Sequence, residues 1–415
     1  MKNWSGNIEY STLNIAYPST VEALQQIVKD SNKITALGSQ HSFNKIADSR
    51  EQQVSLKEMN KVIALDKTAL TVKVEAGMRY GELAPYLHQQ GFALHNLASL
   101  PHITIAGSCA TATHGSGLNN GNLATGIEGI EFVNAAGDLV NLSTKDGEIF
   151  NGAAVALGAL GIISAITLKL LPTFTMRQFV YQNMPMSALE KNFNSIMAMG
   201  YSVSLFTDWK NKNINQVWIK MLAGADDNEP PAELFGATLA TTNLHPVTGQ
   251  SAENCTDQMG VVAPWFEILP HFKMGFKPSA GAELQSEYFI PLEHAFEAMM
   301  AMEKISEQIA PYLFTSEIRT IKADELWMSP CYKRTCVAIH TTWYLDEVKV
   351  MSLLPLIEKQ LAPFNPQPHW GKVFTMEAAG ITANIKKLEN FKKLASLYDP
   401  AGKFKNAFLE NLLDK

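Results

Sequence analysis

A long stretch of small residues in the first third of the chain constrains its fold more than any other feature. The segment 94–133 carries few charges, and Ser, Thr, Ala and Asn surround its glycines, which are Gly107, Gly115, Gly117, Gly121, Gly126 and Gly129. Glycine lacks a Cβ atom, so backbone of this composition can approach another backbone or a ligand closely. We therefore expect this segment to make close contacts and to present rows of backbone N–H groups.

A second loop of the same character lies nearer the N-terminus. The apolar run at residues 34–37 predicts a short buried strand, and residues 38–44 follow it as a tight polar loop. This loop and the segment 99–117 can each form a concave nest of N–H groups, and such nests bind phosphate. Either loop taken singly is equally consistent with an ordinary tight turn. The two together favour a phosphate-containing ligand.

The first part of the chain alternates helix and strand signals. Ser19 and Glu22 form a capping-box pattern ahead of an apolar helical face, so a helix is predicted to begin there. Alternating apolar residues predict a strand over residues 70–76, and a helical pattern follows over residues 81–87. Residues 162–171 alternate again and stop at Pro172, which favours a domain boundary near this proline.

The second half is predicted to contain further strands and a helix rich in methionine. Residues 206–221 and 283–291 have strand-like patterns, and residues 294–309 carry a helical face made of Phe296, Met299, Met300 and Met302. Because methionine fills irregular apolar gaps, we interpret this face as core rather than as a cofactor site. Residues 226–231 form a polar, proline-ended stretch that is typical of a surface loop.

Composition and charge exclude several classes of function. The 415 residues are 46% hydrophobic and carry a formal net charge of −6, so we expect a folded core and no basic surface for nucleic acid. No secretory signal or membrane-length apolar run is visible, and the four cysteines are too irregular for a disulfide framework or a metal site. We expect a cytoplasmic protein that contacts neither nucleic acid nor membrane and holds no metal.

Familiar nucleotide and hydrolase motifs are missing from the sequence. Gly115-Ser116-Gly117 does not complete a G-x-G-x-x-G fingerprint, because Gly121 comes one residue late. The sequence also has no Walker A lysine loop, no H-E-x-x-H helix and no G-x-S-x-G elbow. The enzyme classes that depend on these motifs are therefore excluded.

Two short polar patterns in the second half could build a substrate pocket. Glu317 and Arg319 project from one face of a predicted strand, and His340 and Thr342 do the same on another. If these strands are neighbours, four polar side chains meet, and Lys372 follows among aromatic residues. A solvent-exposed sheet face would explain such residues equally well. The apolar neighbours of both segments favour the pocket.

Five motifs together resemble a known family. They are Gly38-Ser39-Gln40-His41-Ser42-Phe43-Asn44, Leu97-Ala98-Ser99-Leu100-Pro101-His102-Ile103-Thr104-Ile105-Ala106-Gly107, Thr113-His114-Gly115-Ser116-Gly117, Pro368-His369-Trp370-Gly371-Lys372 and Asp399-Pro400-Ala401-Gly402-Lys403-Phe404. In this combination, which spans nearly the whole chain, the sequence resembles the alditol oxidases of the vanillyl-alcohol oxidase flavoprotein superfamily. The resemblance implies an α+β fold with a PCMH-type FAD-binding domain at residues 1–172. A substrate (cap) domain, an antiparallel sheet flanked by helices, would follow at residues 173–372, and residues 373–415 would return to the FAD-binding domain.

The resemblance also implies a covalently bound FAD. The family attaches the flavin 8α-methyl group to the histidine of a G-x-G-H-S loop, and His41 occupies that position. Gln40 replaces the second glycine of the loop, so the turn must accommodate a Cβ atom here. By the same resemblance, the residues around FAD are Gly38, Ser39, Gln40, His41, Ser42, Phe43, Asn44, Ser99, Gly107, Ser108, Thr111, Thr113, His114, Gly115, Ser116, Ile163 and His369.

The implied substrates are sugar alcohols such as xylitol and sorbitol. Each buried hydroxyl of such a substrate needs a partner, because an unpaired one costs about 1–3 kcal/mol. The residues expected to supply these partners are Ser99, Glu317, Arg319, Thr342 and Lys372.

The implied reaction oxidises a terminal CH₂OH group to the aldose, with hydride passing to flavin N5 and O₂ reduced to hydrogen peroxide. Lys372 and Arg319 are expected to hold the reacting hydroxyl and help remove its proton, and His340 is the third expected catalytic residue. Lys372 would have to lose its own proton to act as the base. The identity of the proton acceptor stays open at this point.

Three other functions are weighed against this one. They are a sugar-1,4-lactone oxidase of the same superfamily, a flavin dehydrogenase that uses an acceptor other than oxygen, and a carbohydrate-binding protein without enzymatic activity. A substrate panel, a measurement of oxygen consumption and the colour of the purified protein separate them. We expect the enzyme to be a monomer.

Overall fold

The computed structural model of the protein describes residues 1–224, 230–275 and 282–414. Most of the polar stretch predicted at residues 226–231 lies outside these described residues. The strands are β1 (Ile15–Ala16), β2 (Ile34–Ala36), β3 (Gln52–Val54), β4 (Val62–Asp66), β5 (Thr71–Glu75), β6 (Phe92–Ala93), β7 (Ile127–Val133), β8 (Leu139–Ser143), β9 (Ile162–Lys169), β10 (Leu171–Pro172), β11 (Thr175–Pro185), β12 (Ser202–Thr207), β13 (Asn213–Leu222), β14 (Glu233–Leu234), β15 (Ala237–Leu239), β16 (Ala263–Pro264), β17 (Glu283–Pro291), β18 (Leu313–Ile321), β19 (Cys336–Tyr344) and β20 (Gln367–Pro368). The helices are α1 (Val21–Asp30), α2 (Tyr80–Gln89), α3 (Ile105–Ala110), α4 (Glu148–Ala154), α5 (Leu189–Met197), α6 (Trp265–Ile268), α7 (Ala295–Glu303), α8 (Ser306–Ile309), α9 (Glu347–Leu361), α10 (Ala378–Thr382), α11 (Leu388–Tyr398) and α12 (Ala407–Leu413).

Two small sheets organise the first half of the chain. Five antiparallel strands follow the order β4-β5-β9-β7-β8, and a parallel sheet has the order β1-β3-β2. The predicted strand at residues 70–76 is β5, whose Val72 and Val74 are fully buried, as the alternation indicated. Leu70 lies outside the strand, because the turn before β5 places it in the left-handed region at φ 53°.

The first helix begins one residue later than the sequence predicted. Thr20, and not Ser19, is the N-cap: its hydroxyl accepts a hydrogen bond from the Ala23 N–H at 3.1 Å. Both residue types cap helices well, so the local pattern could not distinguish them. Glu22 still lies in the first turn, where a carboxylate interacts favourably with the helix dipole.

A ten-stranded sheet dominates the second half. Its main order is β14-β15-β11-β13-β12-β18-β19-β17-β20, and β16 pairs with β11. The single strand-like pattern at residues 206–221 proves to be the antiparallel pair β12 and β13. Three residues of the intervening turn, Trp209, Asn211 and Lys212, have left-handed backbone that interrupts the strand. The strand-like pattern of residues 206–221 gave no sign of this turn in the sequence.

Helices α5, α7 and α9 cover one face of this sheet. Ile318 of β18 and Ile339 of β19 are buried in one apolar cluster with residues of these helices, including Met299 and Met302. The methionine-rich face is therefore core, as predicted. Because side chains alternate along a strand, the polar neighbours of Ile318 and Ile339 project to the opposite face. That face holds the candidate site.

The last helices pack against the first half of the chain. Phe404 lies in the same apolar cluster as Leu24 and Ile34, and Lys33 pairs with Glu410 at 3.2 Å. The large sheet begins with β11, immediately after Pro172. A division into residues 1–172, 173–372 and 373–415 stays a prediction. None of the described helices has the length and apolar character needed to cross a membrane.

Candidate active site

A cavity of about 570 Å³ receives side chains from both halves of the chain. The first half contributes the two glycine-containing loops, and the second half contributes the polar face of the large sheet. The residues predicted for the site that line this cavity are Gly38, Ser39, Gln40, His41, Ser42, Phe43, Ser99, Gly107, Ser108, Thr111, Thr113, His114, Ile163, Glu317, Arg319, His340, Thr342, His369 and Lys372.

The two loops approach each other closely at one wall of the cavity. A Cβ atom added to Gly38 would lie 2.8 Å from the Thr104 Oγ1, and one added to Gly107 would lie 2.9 Å from the same atom. Both glycines are therefore required by the close approach itself. The backbone N–H groups of residues 38–42 donate to none of the residues that the structure describes, so they are available to an anionic ligand.

Gln40 has the backbone conformation that explains why the family has a glycine at this position. Its φ is 64°, in the left-handed region that glycine occupies most easily. The Trp4 N–H donates to the Gln40 carbonyl oxygen at 3.0 Å, which holds the turn in place. The Cβ atom is thus accommodated by strained backbone, and the loop keeps its path toward His41.

His41 stacks on an aromatic ring that the sequence analysis did not identify. The Trp4 and His41 ring centroids are 4.7 Å apart, with an interplanar angle of 29°. Burial, reinforced by the positive charge of Lys372, lowers the pKa of His41 to about 3. The imidazole is therefore neutral at physiological pH, and a neutral ring keeps the lone pair that a nucleophile needs.

The polar patterns of β18 and β19 meet as predicted. Glu317 and His340 are directly opposite each other in the two strands. Arg319 donates to the Glu287 Oε1 at 2.7 Å, and its Nε lies 3.6 Å from the Glu317 Oε2. Burial acts to raise the pKa of the Glu317 carboxyl, but Arg319 and His271 outweigh it and hold this pKa well below its usual range. Both carboxylates are thus buried anions beside a buried guanidinium.

Gln285 fixes the protonation of the His340 ring. Lys372 can only donate, so its contact with the Gln285 Oε1 identifies that atom as the amide oxygen. The His340 Nε2 lies 3.2 Å from the same oxygen and must therefore carry a proton that it donates. The His340 Nδ1 is buried and has no hydrogen-bond partner among the described residues. This atom is closed off from solvent, so its lone pair is unpaired but does not open to the cavity.

Lys372 is a partly buried cation whose surroundings favour loss of its proton. Burial lowers its pKa to about 8, with Glu287 opposing this effect and Arg319 adding to it. Asn44 holds the backbone around this side chain, because its Nδ2 donates to the carbonyl oxygens of Trp370 and Lys372, each at 2.8 Å. Asn44 directly precedes a 3₁₀ turn at residues 45–47. It therefore positions Lys372 from the other half of the chain.

Comparison with known proteins assigns this site to a family. The family model described as FAD binding domain matches residues 12–143, and the one described as D-arabinono-1,4-lactone oxidase matches residues 282–412. An alditol oxidase from a Streptomyces species is 46% identical over 415 residues, which cover 99% of this chain and 98% of that protein. The chain belongs to the alditol oxidase family.

More distant relatives agree with this assignment. An L-gulono-1,4-lactone dehydrogenase from Mycobacterium tuberculosis is 24% identical, over 99% of this chain and 98% of that protein. Among solved structures, cholesterol oxidase from B. sterolicum superposes with a TM-score of 0.78 at 13% identity, covering 99% of this chain and 96% of that one. The second likeness concerns the fold, which contains a PCMH-type FAD-binding domain. As an alditol oxidase family member, the protein is an FAD-dependent oxidoreductase of the vanillyl-alcohol oxidase superfamily.

The residues present fit the FAD of the alditol oxidase family. The free N–H groups of residues 38–42 suit a pyrophosphate, and Gly38 and Gly107 add no side chain of their own to the cavity wall. Neutral His41 lies at the same wall, and the polar face of the large sheet lies in the same cavity. The FAD-binding domain and the family assignment argue against a carbohydrate-binding protein without flavin.

Three residues predicted to contact FAD do not line the cavity. Asn44 is occupied by the backbone around Lys372, as described above. A Cβ atom on Gly115 would lie 2.4 Å from the Leu97 carbonyl oxygen, so this glycine serves a backbone crossing. Ser116 donates its hydroxyl to the Val203 carbonyl oxygen of the large sheet. The contacts described for these three residues are with the protein itself, and their contact with FAD stays a prediction.

Several residues of the site were missed in the sequence. Gln285 and Glu287 line the cavity from β17. His271 lines it from the segment that follows α6. Polar residues at positions 283, 285 and 287 alternate along a strand that the sequence did predict, so the period of two could have identified them. Nothing in the local sequence marked His271, because it reaches the site through a tertiary contact.

Glu287 also lies between two histidine rings. One ring nitrogen of His114, one of His369 and one carboxylate oxygen of Glu287 all lie within 4.8 Å of one another. This spacing is close enough to hold a cation. Arg319 already donates to the Glu287 Oε1 at 2.7 Å. We therefore interpret Glu287 as the counter-ion of Arg319.

Proposed function

We propose that this protein oxidises the terminal CH₂OH group of a linear sugar alcohol to the aldose and reduces O₂ to hydrogen peroxide. The observation that carries the proposal is the polar face formed by Glu317, Arg319, His340 and Lys372 in the cavity that also contains the His41 loop. The alditol oxidase from a Streptomyces species, which is 46% identical to this chain, supports the same substrate class.

The charge balance of the site suits an uncharged polyol. Arg319 contacts both Glu287 and Glu317, and His271 donates to Glu317, so the charges are largely compensated within the protein. What remains free for a substrate are single donors and acceptors: the Glu317 Oε2 and the remaining protons of Lys372. A substrate with a hydroxyl on every carbon can pair with such groups, whereas an apolar one leaves them buried and unpaired.

The protonation states support a division of labour among three residues. Lys372 and Arg319, both cationic, stabilise negative charge on the oxygen of the reacting hydroxyl. The His340 Nδ1, which is buried and unpaired, would accept the hydroxyl proton once the ring turns toward the cavity. Burial, together with Lys372 and Arg319, lowers the pKa of His340 to about 3, so the ring stays neutral and able to accept. The hydroxyl becomes strongly acidic as its carbon turns into a carbonyl, so a weak base suffices.

His41 is the residue that we propose to bond covalently to FAD. It is the histidine of the family loop, it is neutral, and Trp4 holds the ring from one side. When bound, FAD accepts the two electrons of the alcohol oxidation as a hydride. Covalent attachment, a monomeric state and a cytoplasmic location are predictions that follow the family.

A lactone oxidase is the second candidate. The observation that favours it is the match of residues 282–412 to the family model described as D-arabinono-1,4-lactone oxidase. These residues include Glu317, Arg319, His340, Thr342 and Lys372, so both functions would use the same pocket. A dehydrogenase that passes electrons to another acceptor would also share it. Substrate choice and oxygen consumption separate the three.

The experiment combines anaerobic and aerobic mixing. Xylitol added without oxygen should bleach the flavin absorbance, and admission of air should restore it with one hydrogen peroxide formed per aldose. Bleaching without recovery in air would assign a dehydrogenase. An unchanged spectrum with xylitol, sorbitol and other linear polyols would contradict the proposed substrate class.

A further inference from the structure

A lysine buried behind the polar face plays no part in the function described so far. Lys220 lies on β13 and is 1% exposed. Its Nζ donates to the carbonyl oxygens of Leu269 and Pro270 at 2.6 and 2.8 Å, and it lies 3.0 Å from the His271 Nδ1. An ammonium group has three protons, and these three acceptors use all of them.

This arrangement fixes the His271 ring in one tautomer. The ammonium of Lys220 donates to the His271 Nδ1, which must therefore present a lone pair. The proton of the neutral ring then lies on Nε2, which donates to the Glu317 Oε1 at 2.7 Å. Burial and the charge of Lys220 lower the pKa of His271 to about 4, in agreement with a neutral ring.

The hydrogen bond from His271 decides which oxygen of Glu317 faces the substrate. Oε1 is occupied by His271, whereas Oε2 lies 3.6 Å from the Arg319 Nε, beyond hydrogen-bond distance. No described residue donates to Oε2 within hydrogen-bond distance, and Glu317 lines the cavity. The carboxylate is thus held from behind by one oxygen while the other stays available.

We propose that Lys220 and His271 are positioning residues that orient Glu317 to accept a hydrogen bond from a hydroxyl of the substrate. The proposal rests on the proposed oxidation of sugar alcohols. Neither residue takes part in the redox step, so their loss should weaken substrate binding and leave the maximal rate nearly intact. A purely structural role would change stability or flavin content instead.

The test compares four single variants in the FAD-loaded enzyme. Lys220→Met removes the donor to His271, and His271→Leu removes the donor to Glu317. Each variant should raise KM for xylitol roughly tenfold, with kcat within about threefold of the parent. His271→Gln keeps an N–H donor near Glu317 and should recover most of the affinity. Assays at pH 6 keep Lys220 in its ammonium form, because burial lowers its pKa to about 7 against the opposing charge of Glu317.

Thr256→Val is the matched control. The Thr256 hydroxyl is buried and donates to the Pro270 carbonyl oxygen at 3.0 Å, the same oxygen that accepts from Lys220. The variant therefore disturbs the same segment without removing the donors to Glu317. Its KM should stay at the parental value. An equal rise of KM in Thr256→Val would overturn the proposal in favour of general disturbance.

A double variant makes the test independent of overall stability. In a Glu317→Gln background, Lys220→Met should raise KM by less than twofold, since the group it orients has changed. Additive effects would overturn the proposal. If Lys220→Met does not fold, the comparison of His271→Leu with His271→Gln decides, and equal KM values in those two variants would overturn it.

A spectroscopic measurement separates this proposal from the proposed substrate class. Nitrogen-15 NMR of histidine-labelled enzyme should show His271 as the Nε2–H tautomer in the parent and not in Lys220→Met. A parent enzyme inactive on xylitol would contradict the proposed function alone. A His271 signal unchanged by the loss of Lys220 would contradict the positioning role alone.

Discussion

At the scale of single residues, the site is organised by histidine rings whose protons are fixed by their neighbours. Lys372 and Gln285 fix His340, Lys220 fixes His271, and the Gly371 N–H donates to the His369 Nδ1 at 3.0 Å. Each ring is left with one defined donor or acceptor for the cavity or for Glu317. The chemistry thus depends on polar neighbours as much as on the residues that meet the substrate.

His41→Ala should abolish the covalent attachment of FAD. The two loops and their free N–H groups remain, so the variant should still bind FAD without a bond and turn over more slowly. Denaturing gel fluorescence measures the protein-linked flavin. His102→Ala, which removes a neighbouring ring that does not line the cavity, should keep the linkage. Protein-linked flavin in His41→Ala would contradict the assignment.

The charge of Lys372 should govern the pH dependence. Its pKa is lowered to about 8, so the ammonium form prevails below that pH and the neutral amine above it. If the ammonium stabilises the reacting oxygen, the rate of flavin reduction at saturating xylitol falls as pH rises through about 8. Lys372→Met should lack this fall and reduce flavin more slowly by about 100-fold, with unchanged FAD content. A rate of flavin reduction that rises through pH 8 would instead identify Lys372 as the base.

At the scale of elements, the sequence predicted strands well and missed what joins them. The alternation in β18 and β19 correctly placed their polar side chains on one face, because the period of two fixes which face a residue occupies. The register that puts Glu317 opposite His340 came from the folded sheet. The break between β12 and β13 was missed, since three non-glycine residues adopt left-handed backbone there. His271 and Lys220 could not be found, because their roles follow from sheet order and not from local pattern.

The loop that carries His41 offers a test at this scale. Gln40 has φ 64°, a conformation that costs residues with a Cβ atom about 1–2 kcal/mol and β-branched residues more. Gln40→Val should therefore lower the free energy of unfolding by about 1–2 kcal/mol and reduce the fraction of protein-linked flavin. Gln40→Ala, which keeps the Cβ atom without the branch, should stay near the parent, and Gln40→Gly, which removes the Cβ atom, should be at least as stable as the parent. Thermal unfolding followed by absorbance at the flavin band measures the stability, and denaturing gel fluorescence measures the protein-linked flavin. Equal stability of the Val and Ala variants would contradict the strain.

At the scale of the whole molecule, the active site exists only where the two halves of the chain meet. The first half supplies the two glycine-containing loops, the second supplies the polar sheet face, and contacts such as Asn44 with the backbone of Lys372 join them. The family motifs identified both sets of residues in the sequence. The cavity itself, with Glu287 as counter-ion and Trp4 against His41, required the folded chain, because each partner comes from a distant segment.

The most direct test of the central claim is steady-state oxygen uptake with glycerol, xylitol, sorbitol and an aldono-1,4-lactone. Glycerol leaves two or three of the buried donors and acceptors unpaired, at about 1 kcal/mol each, so its kcat/KM should be roughly 10- to 200-fold below that of xylitol or sorbitol. The lactone should be a poor substrate. A lactone that outperforms xylitol would contradict the account and identify the protein as a lactone oxidase.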